Sequence, residues 1–167
     1  WCGGAYPYSS VIDRLDYSND NAASIPKSTV SFSPVRAGPA ATGNANYGYF
    51  MAGRSGQVVY SDIERLDYSN DTAAAASKGS LPVPRGGGSG LGNQSYGYYA
   101  GGWNVTGAYY SNVYRIDYSN DTPAATEKGK LPLARYISAS VSNNTDGYVY
   151  GGRPDTTVTP ANVGGTT

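Results

Sequence analysis

Histidine is absent from the 167 residues, and cysteine and methionine occur once each. Without histidine, neither a Ser-His-Asp nor a Cys-His catalytic arrangement can exist, and no histidine-held metal centre can form. Cys2 alone gives no intrachain disulfide and no cysteine-based metal cluster. Charge is sparse at 14% of residues, and 12 cations balance 12 anions. No net field therefore draws nucleic acid or an anionic membrane. No apolar run approaches the roughly eighteen residues that cross a bilayer. The opening WCGGAYPY lacks the basic-then-apolar pattern of a signal peptide, as a mature or trimmed chain also would. No enzyme activity, cofactor, nucleic-acid partner or membrane insertion is expected.

Large aliphatic residues are also scarce, and Phe occurs twice. Disorder of compositional origin needs high net charge and few aromatics, whereas this chain is neutral and carries 17 tyrosines. Tyrosine brings a large apolar ring with a polar tip, so a folded core of Tyr, Val and small residues is expected. No segment places apolar residues at i, i+3, i+4 and i+7 over three turns, and 23 Gly with 10 Pro interrupt any helix. The best helix former, TAAAAS at 72–77, is too short to stand alone. In SNVYRIDY, Val113, Arg115 and Asp117 alternate with Tyr114, Ile116 and Tyr118, which is the period of a strand.

One phrase is written three times: RLDYSND at 14–20 and 65–71, and RIDYSND at 115–121, about fifty residues apart. Three other landmarks keep the same phase. Aromatic runs end in small residues, as in YGYFMAG (47–53), YGYYAGG (96–102) and GYVYGG (147–152). An Ala/Thr/Ser/Lys stretch closes with SPVR (33–36), LPVPR (81–85) and LPLAR (131–135). A small-residue segment follows: AGPAATG (37–43), GGGSGLG (86–92) and YISASVS (136–142). Self-similarity at this period marks solenoids and propellers. Each unit accommodates four short strands, the small-residue segment suiting an innermost strand and the phrase segment suiting packing between neighbours. The expected fold is all-β: about three four-stranded antiparallel units arranged as β-propeller blades. The boundaries are a partial blade 1–36, blades 37–85 and 86–135, and a partial blade 136–153. Residues 154–167 form a tail or begin a divergent unit. Three blades leave a ring incomplete, so self-association or a longer array is expected.

A strand ending in a small doublet (Gly3-Gly4, Ala52-Gly53, Gly101-Gly102, Gly151-Gly152), a later Tyr and a Pro-x-Arg close resemble the kelch repeat. Kelch blades usually carry Trp after that Tyr; these units have Ala or Thr. The wording R-L/I-DYSNDT, with YGYF and a small doublet, is similar to tandem repeats in predicted structural proteins of tailed phages, especially those of cyanobacteria. That second resemblance implies a virion component such as a tail fibre or filament. Its implied partners are further copies, other virion proteins, and host-surface glycans or proteins. The alternative is a cellular or secreted kelch-like interaction or matrix module, extracellular and glycosylated.

Two roles fit the repeated phrase. As structure, Tyr17, Tyr68 and Tyr118 bury their rings between blades, and Ser-Asn-Asp forms the turn through side-chain to backbone bonds. Arg14, Arg65 and Arg115 lie on the same strand face as Asp16, Asp67 and Asp117 and can pair with them. As function, Asp16, Asn19 and Asp20, with their counterparts Asp67, Asn70, Asp71, Asp117, Asn120 and Asp121, could offer oxygens to calcium, although the glycine spacing of calcium loops is missing. The turn is the reading adopted, with no metal site. Arg36, Arg85 and Arg135 are expected to tie neighbouring blades by bonding to carbonyls or to the repeat's Asp; the alternative is convergence on an acidic ligand. Some of Tyr47, Tyr49, Tyr96, Tyr98, Tyr109 and Tyr110 should reach solvent, where they can stack on sugars. Glycosylation sequons stand at Asn70, Asn93, Asn104, Asn120 and Asn143, relevant if the protein is secreted.

Overall fold

The computed structural model describes residues 8–154. No α-helix occurs among the described residues. The chain begins with the antiparallel pair β1 (Val11–Arg14) and β2 (Ile25–Thr29). Next come β3 (Ala40–Gly43), β4 (Tyr47–Met51), a small hairpin of β5 (Arg54–Ser55) and β6 (Val58–Val59), then β7 (Asp62–Asp67) and β8 (Ala76–Ser80). Strands β3, β4, β7 and β8 form one antiparallel sheet in that spatial order. The pattern repeats with β9 (Ser89–Gly92), β10 (Tyr96–Ala100), β11 (Asn112–Asp117) and β12 (Thr126–Lys130). The last described strands are β13 (Arg135–Tyr136), β14 (Ala139–Ser142), β15 (Gly147–Tyr150) and β16 (Arg153–Pro154), with β14 paired to β15 and β13 to β16.

The all-β expectation holds, and both four-stranded sheets keep the fifty-residue phase of the sequence. The phrase strands β1, β7 and β11 are equivalent, as are β3, β9 and β14, which come from the small-residue segments. Each unit turns from its first to its second strand on an asparagine. Asn44 Oδ1 accepts from the amides of Asn46 and Tyr47 at 2.9 Å each, and Asn93 does the same for Ser95 and Tyr96. Asn143 receives the amides of Thr145 and Asp146 at 2.8 and 2.7 Å. Such side-chain mimicry of a turn is what asparagine does best. The register also slips at one equivalent point in each phrase strand: Ile12/Asp13, Asp62/Glu64 and Val113/Tyr114.

The small doublet has a backbone reason. Ala52, Gly101 and Gly151 have φ of 62°, 72° and 67°, and the glycine after each has φ of 99°, 94° and 85°. Two consecutive left-handed residues exclude large side chains.

The core lies between sheets rather than within one. Tyr49, Met51 and Ile63 of the first sheet pack with Tyr114, Ile116 and Tyr118, which belong to the second sheet or directly follow it. A second cluster joins Ile12, Val30 and Phe32 to Leu66 and Ala75, with Phe50 against it. Burying one such side chain contributes roughly 1.5–3 kcal/mol, so neither sheet retains its apolar stabilisation alone.

First strands of successive units also stack closely. Thr42 Oγ1 donates to the Leu91 carbonyl at 2.5 Å, and Ser140 and Ser142 donate to the carbonyls of Gly90 and Gly92 at 2.7 Å. A Cβ on Gly90 would overlap the backbone of Ala41. The segment is rich in small residues for that reason. Gly90→Ala is expected to lower unfolding free energy by about 1–3 kcal/mol, the usual cost of overpacking; urea denaturation followed by circular dichroism measures it.

Candidate functional site

The side chains with the most chemistry gather at the joints between units. Asp16, Asp67 and Asp117 each cap the turn after their strand. Each carboxylate accepts from the amide of the serine two residues on (2.9 Å) and from that serine's hydroxyl (2.6–2.7 Å). These bonds, the hydroxyl contributing most, hold all three carboxyls below the usual aspartate range. In the first two repeats the next three residues form a single 3-10 turn.

The phrase arginines do not bond the aspartate of their own strand. Arg14 Nη1 donates to Asp71 at 2.8 Å, and Arg65 Nη1 donates to Asp121 at 2.7 Å. Both partners stand at the end of the next repeat's phrase. The same-strand pairing expected from sequence is thus corrected: the turn already engages the nearer carboxylate, and sheet stacking brings the following unit's aspartate within reach. Lys27 and Lys78 add weaker ion pairs to Asp71 and Asp121, at 3.9 and 3.4 Å. Arg65 also lies over the Tyr47 ring at 4.3 Å, and Arg115 over Tyr96 at 4.2 Å.

Asp121 is the centre of the best-formed joint. It is buried and also accepts from the Tyr49 hydroxyl at 2.9 Å. Tyr49 is buried too, and burial, with Asp121 beside it, pushes its phenol well up. Its ring stacks on Tyr118, with centroids 4.7 Å apart and planes at 13°. The Tyr118 hydroxyl lies 3.0 Å from Thr42 Oγ1, and burial pushes the Tyr118 phenol up to about 12.

The three phrase tyrosines do not share one environment. Tyr118 is 7% exposed, Tyr68 48% and Tyr17 90%. The expectation that each ring is buried between units holds for Tyr118, whose ring stacks on Tyr49 of the preceding unit, while Tyr68 and Tyr17 are exposed. Among the other tyrosines, Tyr49 is buried, while Tyr47, Tyr96, Tyr98, Tyr109 and Tyr110 are partly exposed.

The closing arginines perform one repeated task. Arg36, Arg85 and Arg135 each donate through Nη1 to the carbonyl of the first doublet residue of the next unit: Ala52 (3.5 Å), Gly101 (3.2 Å) and Gly151 (3.2 Å). Arg36 adds an ion pair to Asp62 and stacks on Tyr60 at 3.8 Å. Arg85 is fully buried, 3.9 Å from the Tyr110 ring centroid, and bonds the Tyr114 hydroxyl at 3.3 Å. Glu64, also buried, accepts from the Ser31 amide and hydroxyl at 2.7 Å each, and burial raises its carboxyl.

Among the described residues, no three His, Cys, Asp or Glu side chains converge as a metal site. Asn70, Asn120 and Asn143 are exposed, whereas Asn93 and Asn104 are half-buried, with their side chains engaged in turns. Cys2, Gly3 and Gly4, and the segment from 155, lie outside the described residues. Neither a protein-family model nor a curated protein matches the chain.

Two outcomes follow. Arg85→Ala should destabilise the fold by about 2–5 kcal/mol, as large-to-small changes in a packed interior do, while Arg135→Ala, half-exposed, should cost under about 1 kcal/mol; parallel urea titrations compare them. Because the Asp117 carboxyl is held low, its stabilisation is present above the ordinary aspartate pKa and is lost as pH falls through the depressed value. Asp117→Ala should therefore lower Tm at pH 7 and converge with the parent chain near pH 2, read by thermal melts across that range.

Proposed function

We propose that this chain is a non-enzymatic structural and adhesion protein. It is read as a run of kelch-like propeller blades of the tail-fibre or filament type, assembling through its joints and offering exposed turns to host-surface glycans or proteins. The observation that carries the reading is the joint itself. Arg36, Arg85 and Arg135 bond the neighbouring unit in all three repeats, Arg14 and Arg65 do so in two, and Asp16, Asp67 and Asp117 cap their own turns in matching geometry. A catalytic centre is ordinarily built once and leaves a reactive group facing solvent. Here the repeated carboxylates cap turns or hold sheets together. The virion setting is supported by the phrase-level resemblance of DYSNDT and its surroundings to phage structural repeats.

A cellular or secreted kelch-like module is the second reading, favoured by the exposed sequons at Asn70, Asn120 and Asn143. Immunogold electron microscopy with antibody against the chain separates the two. Label on tails or appendages of purified virions is the expected result. Label confined to the cell surface, with glycans found at the sequons by intact-mass analysis, would replace it with the second reading.

A further inference from the structure

We propose that the recess where the turns at Asn44, Asn93 and Asp117 meet binds a neutral hexose ring. The inference rests on the adhesion reading above and names its class of ligand. The recess holds about 390 Å³, and Asn44, Gln94, Ser95, Tyr96, Asp117 and Ser119 are among the residues lining it. That volume falls in the range of small-ligand sites and suits a sugar ring, whereas a helix or a strand would not enter it. These residues belong to the joint between the two four-stranded sheets, with described strands on either side.

The walls are fixed before any ligand arrives. The Tyr118 amide donates to the Ser95 carbonyl at 3.0 Å, tying the phrase turn to the hairpin turn of its own unit. Across the joint, Asn44 Nδ2 donates to the Gln94 carbonyl and the Ala45 amide donates to Gln94 Oε1, each at 3.3 Å. Arg115 lies over the Tyr96 ring at 4.2 Å and holds it in place. A recess preorganised in this way loses little freedom on binding. One unit earlier, a second recess of about 470 Å³ is lined by Tyr47, Asp67 and Ser69, the counterparts of Tyr96, Asp117 and Ser119. The feature therefore follows the repeat.

The class of ligand follows from the groups left over. Asp117 uses Oδ1 for the Ser119 amide and hydroxyl, and its other oxygen takes no part in those bonds. Gln94 uses Oε1 for the Ala45 amide, and its NH2 group has no partner among the described residues. A carboxylate only accepts, an amide NH2 only donates, and the Ser95 hydroxyl does both. Such a mixed set matches the hydroxyls of a sugar, each of which also donates and accepts. No Lys or Arg is among the lining residues, and the turn bonds hold the Asp117 carboxyl below the usual aspartate range. The wall therefore carries a negative charge that disfavours a carboxylated or phosphorylated ligand. Tyr96, half-buried, adds an aromatic surface on which the C–H face of a sugar packs.

Two-dimensional amide NMR of the full chain, titrated with the methyl glycosides of glucose, galactose, mannose and N-acetylglucosamine and with glucuronate, tests the site. At least one neutral glycoside should shift the amides of Gln94, Ser95 and Ser119 saturably, with Kd of about 0.1–10 mM. Glucuronate should bind about tenfold more weakly or not at all. Gln94→Ala should weaken the neutral sugar by about threefold to tenfold, the worth of a hydrogen bond. Thr106→Ala, outside the recess, should bind like the parent chain, and thermal melts verify that both variants are folded. Silence at those amides up to about 50 mM of every neutral glycoside overturns the proposal. So does binding confined to glucuronate, a Gln94→Ala chain that binds like the parent, or shifts spread over the exposed turns without saturation. Sugar binding by a chain missing from particles keeps the site and removes the virion setting; labelled virions with a silent recess keep the structural reading and remove the site.

Discussion

Arg85 can be fully buried only because the next unit supplies what surrounds it. Its own unit provides the backbone that carries it; the following unit provides the Gly101 carbonyl, the Tyr114 hydroxyl and the Tyr110 ring. A buried guanidinium without such partners would carry a heavy desolvation penalty. The acceptor is presented by a residue with positive φ, which is why the aromatic strand must end in a small doublet. One cation thus links the composition of the doublet, the phase of the repeat and the contact between sheets.

The same dependence runs through the apolar contacts. Neither four-stranded sheet encloses a core; the rings of Tyr49 and Tyr118 meet across the joint. Chains of this kind gain stability unit by unit, from each repeat and its interface with the next. Tyr17, Tyr68 and Tyr118 carry identical words into three exposures, and the buried one is the ring that stacks on Tyr49 across the joint.

Much of this architecture was legible in the sequence, for identifiable reasons. Glycine-bounded alternation in YGYYAGG and SNVYRIDY fixes strands, and the small-residue runs fix where backbones approach, since Gly90 faces Ala41 without room for a methyl group. The turn role of Asp-Tyr-Ser-Asn-Asp is local, and local hydrogen bonding is what a sequence encodes most directly. The partner of Arg14 and Arg65 was not legible. Choosing Asp71 over Asp16 depends on how far one sheet is offset from the next, and no neighbouring residue carries that offset. The hairpin Arg54–Ser55 with Val58–Val59 also escaped, being too short to leave a periodic signal. Tyr49 looked interchangeable with Tyr98; the Tyr118 ring and the Asp121 carboxylate, both arriving from the next repeat, accompany the buried ring.

If the joints hold the molecule together, their amides should be as protected as those inside the sheets. Native-state hydrogen exchange resolves this at Ala75, Gly79 and Ala125, whose amides donate across joints to Thr29, Asp121 and Ser80. The account predicts that these three exchange only by global unfolding, with the same opening free energy as Tyr99 and Ile116. Joint amides that open far more readily than strand amides, leaving sheets that persist on their own, would contradict it.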